Sequence, residues 1–155
     1  MEQLKLIAFD ADDLAVISAH LQNASLKVQD MAYMPDQKRF AGIASRLDWT
    51  CLIDDGGRSE QTRYLSALRL DRVLGAKLTG IDLTRKEETL TLLALQFTAK
   101  AANDDPQGFV TLFFANGGAI RLHVECIEAE LRDLERLPDQ QDGAKDKPRT
   151  VAESG

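Results

Sequence analysis

An apolar run, Leu6-Ile7-Ala8-Phe9, leads directly into Asp10-Ala11-Asp12, with Asp13 next. Two carboxylates one residue apart at the end of a strand can serve phosphoryl transfer. One attacks phosphorus while the other handles protons beside Mg²⁺. The same residues also suit a helix start: the Asp10 carboxylate can accept the N–H of residue 12 or 13. Asp12 and Asp13 would then place negative charge at the positive end of the helix dipole. The helix start is the expected use.

A second candidate is Asp54-Asp55-Gly56-Gly57-Arg58-Ser59. Calcium loops need oxygen ligands at regular spacing closed by a distal acid, and Arg58 interrupts that pattern, so a surface turn is expected. His20 and His123 are the only histidines, and Cys51 and Cys126 the only cysteines. A Cys–His nucleophile would require the fold to bring these together. Cys126 stands at the start of an expected helix, where the dipole would lower a thiol pKa. The segment Gly75-Ala76-Lys77-Leu78-Thr79-Gly80 lacks the Gly-Lys-Ser/Thr order of a phosphate loop, and no GxGxxG occurs. No catalytic residue, metal ligand or cofactor site is assigned. The six cations Lys38, Arg39, Arg46, Arg69, Arg72 and Lys77 fall on neighbouring expected strands. There they would cradle an anionic ligand or the acidic surface of a partner.

The elements that position these residues follow from periodicity. Leu4 to Ala8 is a short strand. Leu14, Ile17 and Leu21 form a helical stripe ending near Asn23. Further strands are expected over Leu26–Met34, Phe40–Leu52, Tyr64–Leu70, Val73–Ile81 and Thr89–Thr98. In Phe40–Leu52, Ile43, Ser45, Leu47 and Trp49 share a side, and the pair from Tyr64 to Ile81 reads as two strands or one long bent one. Phe109–Phe114 and Ile120–Val124 then flank Asn116-Gly117, whose residues favour the positive φ of a hairpin turn. Ile127, Leu131 and Leu134 next recur at helical spacing, which predicts a C-terminal capping helix. The strands follow one another too closely for helical crossovers, so an α+β fold is expected: a mainly antiparallel sheet of about 7–8 strands with one N-terminal and one C-terminal helix. Pro138 to Gly155 holds one aliphatic side chain larger than Ala, Val151, and reads as a disordered tail after a single domain over residues 1–137.

Charge narrows the partners. The chain has 19 Lys and Arg against 25 Asp and Glu, a net charge of −6. That opposes general attraction to nucleic acid. No apolar run reaches the ~20 residues of a membrane-spanning helix. No basic leader is visible, so a cytoplasmic protein with reduced thiols is expected.

Three resemblances bear on this. Leu6 to Asp13 is similar to the first motif of haloacid-dehalogenase-type phosphotransferases, but Asp13 and Leu14 stand where that family has Gly and Thr. Four segments, by contrast, resemble a family of small alphaproteobacterial proteins of unknown function, and in that family's order. They are Leu4–Ala8, Asp12 with Leu14–Gln22, Arg46–Trp49, and Gly118–Leu122 through Glu125–Ala129. That resemblance covers residues 4–137 and implies a bacterial setting without implying an activity. The element order also resembles a pleckstrin-homology-like barrel, in which Ile127, Leu131 and Leu134 would plug one end. The function expected is a non-catalytic binding or adaptor domain acting through protein–protein contacts. The rival is a small-ligand-binding protein or an enzyme whose site is scattered in sequence.

Overall fold

Asp10 starts a helix. Its backbone is extended at φ −145°, and its carboxylate accepts the Asp13 N–H at 2.8 Å, leaving the exposed Asp-x-Asp as a cap. The computed structural model describes residues 3–48, 62–101 and 105–138. Within them run β1 (Lys5–Ala8), α1 (Ala11–His20), β2 (Ala24–Met34), β3 (Arg39–Leu47), β4 (Arg63–Asp71) and β5 (Val73–Thr79). There follow β6 (Thr89–Ala99), β7 (Gly108–Phe114), β8 (Ala119–Val124) and β9 (Ala129–Arg136). Trp49, Cys51, the segment 54–59 and the expected tail from residue 139 lie outside the described residues. Among the described residues no helix is long and apolar enough to cross a membrane.

The nine strands make one antiparallel sheet in the order β1-β9-β4-β3-β2-β6-β7-β8-β5. Arg72 alone separates β4 from β5, yet these strands stand far apart in that order. The sheet must therefore curl. Its bend lies at Arg72, which has φ 65°. There the Asp71 N–H donates to the Glu128 carbonyl and the Glu125 N–H to the Arg72 carbonyl, both at 2.9 Å. These bonds carry the pairing from β4–β9 across to β5–β8. The expectation of two strands or one bent strand over residues 64–81 thus resolves as both: two ladders, one continuous path.

The hairpin expected around Asn116-Gly117 is present. Both residues have positive φ, 71° and 87°, and the Phe114 N–H closes the loop on the Gly118 carbonyl at 2.8 Å. Inside the curl, Leu14 and Ile17 of α1 and Leu21 at its C-cap pack with Leu26, Leu68, Leu92, Leu112, Leu122 and Leu131, all buried. Full burial of each such side chain is worth about 1.5–3 kcal/mol. Ser18 fixes the helix on the sheet, its hydroxyl accepting the Leu95 N–H at 2.9 Å.

One expected element is corrected. Among the described residues no helix follows β8; residues 129–136 form β9, paired with β1 on one side and β4 on the other. Ala129, Leu131 and Asp133 face inward, whereas Leu134 is exposed. The period is two, but an aspartate occupies an inward position and a leucine an outward one. That exchange imitates a helical stripe. With the helix goes the proposed plug of a barrel end, and Cys126 sits half-buried in the turn between β8 and β9, away from any helix N-terminus.

Candidate partner-binding groove

Two depressions offer chemistry, and their linings differ. The first, of about 270 Å³, is polar and includes Lys5, His20, Arg46, Asp48, Tyr64 and Asp133. At its base Arg46 and Asp133 form a buried bidentate pair, Nε to Oδ1 at 2.9 Å and Nη2 to Oδ2 at 2.7 Å. Asp133 also accepts the Ser66 hydroxyl at 2.6 Å and the Leu4 N–H at 3.0 Å. The Arg46 guanidinium lies 5.1 Å from the centre of the Tyr64 ring. Burial alone would raise the Asp133 pKa, but hydrogen bonds from Arg46, Ser66 and Leu4 outweigh it, so the net shift is downward. A carboxylate with four donors and a depressed pKa is held ionised. It clasps the residue leading into β1 to β3, β4 and β9; a general acid would need the opposite shift. At the rim, His20 Nδ1 is 3.0 Å from the Val16 carbonyl.

Of the six cations expected to form a cradle, Arg46 lies in this clasp. Four others gather near the bend, each against carboxylates. Lys38 meets Glu125 at 3.0 Å, Arg39 meets Asp71 at 2.7 Å, and Arg69 bridges Asp71 at 3.0 Å and Glu130 at 2.7 Å. Arg72 reaches Glu128 at 3.3 Å and Glu125 at 3.7 Å. Glu125 is held below the usual carboxylate range, first by the Lys38 hydrogen bond. Lys77 stands apart, exposed on β5 opposite Arg121. The fold therefore brings four of the six together, with counter-charges already in place.

The second depression is apolar. About 320 Å³ in volume, it is lined by residues including Met31, Tyr33, Phe40, Ala76, Leu78 and Leu83. It opens because the curled sheet is incompletely paired there. The first part of β2 pairs with β6, and Val28 and Gln29 donate to the carbonyls of Glu88 and Lys86, each at 3.0 Å. From Met31 to Met34, β2 is in register with β3 alone among the described residues. Across the groove β5 is an edge strand, paired with β8 only among the described residues. Its Val73 N–H is taken by the Lys38 carbonyl at 2.9 Å, so the free edge begins beyond it. Leu78 and Leu83 are 39% and 59% exposed, large values for side chains beside a core. Sequence reading missed this groove because its walls come from β2, β3, β5 and the segment after β5. The only local signal was Leu83 in an otherwise charged connection.

His123 and Cys126 do not form the nucleophilic pair considered from the sequence. His123 Nε2 lies 3.1 Å from Gln107 Oε1, and its ring centre is 5.2 Å from that of Phe109. Among the described residues, no group of three or more His, Cys, Asp or Glu side chains is placed to hold a metal ion.

A family model described as "Protein of unknown function (DUF2948)" matches residues 4–149. No curated protein and no solved structure shows significant similarity to the chain. The chain belongs to the family of that model, which brings no activity with it.

Proposed function

We propose that this member of an uncharacterised family is a non-catalytic binding or adaptor domain of the bacterial cytoplasm, working through protein–protein contacts. One observation carries the reading: the apolar groove lies between two strand stretches that, among the described residues, lack a ladder partner on the groove side. Unpaired strand edges expose backbone donors and acceptors, and natural sheets usually cover or blunt them. An apolar trough beside such edges is suited to a partner chain. In this reading the curled sheet is a barrel left open along the seam between β2 and β5. Lys77 stays a partner-contact residue, while Lys38, Arg39, Arg46, Arg69 and Arg72 serve the fold through their carboxylates.

The rival reading, a small-ligand protein or enzyme, draws on the polar depression with Lys5 and His20. The saturation of Asp133 weighs against it. Leu83→Asp separates the two. Leu83 is mostly exposed, so the substitution should shift the melting temperature by no more than about 2 °C, as surface changes do, while placing a charge in the groove. Affinity purification from the native cell with mass spectrometry should recover a reproducible partner with the wild type and lose it with Leu83→Asp. Identical captures, or no protein partner and a copurifying metabolite, would overturn the reading.

A further inference from the structure

We infer that the free edge of β5 takes an extended peptide as an added strand, with apolar residues pointing into the groove and acidic residues pointing outward. The inference rests on the binding-domain reading and specifies its partner. It begins with the alternation of side chains along β5. Ala76 and Leu78 lie opposite Leu122 and Ile120, which are buried, so they face the inner side of the sheet. Gly75 and Lys77 lie opposite His123 and Arg121, on the outer side. A strand added next to β5 would repeat that alternation, because successive side chains point to opposite faces. Every second residue would enter the apolar groove, and the others would stand beside Lys77.

The charge on that outer side supplies the complement. Lys77 and Arg121 are directly opposite on adjacent strands, and like charges so placed are destabilising. Neither makes an ion pair among the described residues. Arg121 instead lies over the Phe109 ring, 3.8 Å from its centre. A lysine on an edge strand can act simply to deter aggregation. Arg121 does not fit that role, since β8 is an interior strand paired on both sides with β5 and β7. Acidic side chains on an added strand would relieve the repulsion.

Other occupants fit less well. Two copies pairing through β5 would set one Lys77 near the other. A small apolar molecule would fill the groove but leave the strand edge unpaired. The free stretch, from Leu74 to Thr79, spans about 20 Å and matches a peptide of roughly six residues.

A labelled synthetic octapeptide alternating leucine with glutamate tests this by fluorescence anisotropy and amide hydrogen exchange on the full chain. A block-scrambled peptide of the same composition, and one with lysine in place of glutamate, are the controls. The alternating peptide should bind most tightly and slow exchange within residues 74–79. Lys77→Glu should weaken binding about fivefold or more, since it turns an exposed attraction into a repulsion. Equal binding of the scrambled peptide, no binding, or protection away from β5 would overturn the inference. If the octapeptide fails while Leu83→Asp still abolishes partner capture, the groove remains a binding site and only the added strand is wrong. If both fail, the binding-domain reading falls as well.

Discussion

Asp133 is the residue on which most of the interior polar chemistry converges. Its carboxylate meets Arg46, Ser66 and the Leu4 amide, which come from three different segments of chain. An unfolded aspartate titrates near about 4; in the fold Asp133 titrates lower, because its donors favour the charged form more than burial opposes it. Its contribution to stability is therefore present above the unfolded pKa and is lost as pH falls through that value towards the folded one. Asp133→Asn should cost about 3–5 kcal/mol near neutral pH, because Arg46 would stay buried without its counter-ion. Urea midpoints measured from pH 7 down to pH 3 should show the gap between wild type and variant narrowing below about pH 4. A gap that stays constant across that range would mean the pair adds no pH-dependent stability.

At the scale of the element, β9 separates what patterning reveals from what it hides. Leu131 is fully buried and Leu134 is 39% exposed. A helical stripe would make both central, whereas the strand makes only the first so. Leu131→Ala should then cost about 2–5 kcal/mol, and Leu134→Ala less than about 1 kcal/mol, as read from denaturant midpoints. Comparable losses would restore the helix. Eight of the nine strands were legible because their alternation or apolar runs were clean, as in Ile120-Arg121-Leu122-His123-Val124, and Asp10 and Asn116-Gly117 marked a helix start and a turn through local chemistry. The ninth strand was concealed by Asp133. An inward aspartate looks polar in sequence, and only the fold supplies Arg46, 87 residues earlier, as its partner. The groove was illegible for the same reason: Tyr33, Ala76 and Leu83 acquire a common meaning only after the sheet curls. Strand proximity alone set Lys38, Arg39, Arg69 and Arg72 near one another; their facing carboxylates include neighbouring Asp71 on β4, but Glu125, Glu128 and Glu130 come from elsewhere in the chain.

Across the whole molecule, the organising contact joins the first strand to the last. Leu6 lies opposite Leu131 and Ala8 opposite Ala129, while β9 also pairs with β4. Closure of that ladder brings together residues far apart in sequence, the kind of pairing that slows folding to milliseconds or seconds. It also makes β9 structurally essential in a way that a capping helix would not be. A chain ending at Glu128 would strip partners from β1 and β4, remove buried Leu131, and leave Arg46 without Asp133. Each loss is a large fraction of the roughly 5–15 kcal/mol that holds a typical domain together. Such a chain should show no cooperative urea transition by near-ultraviolet circular dichroism, while a chain ending at Leu137, with β9 intact, should retain one. A cooperative transition in the shorter chain, merely at a lower midpoint, would show that the sheet can close without its ninth strand and that β9 is an appendage to the core.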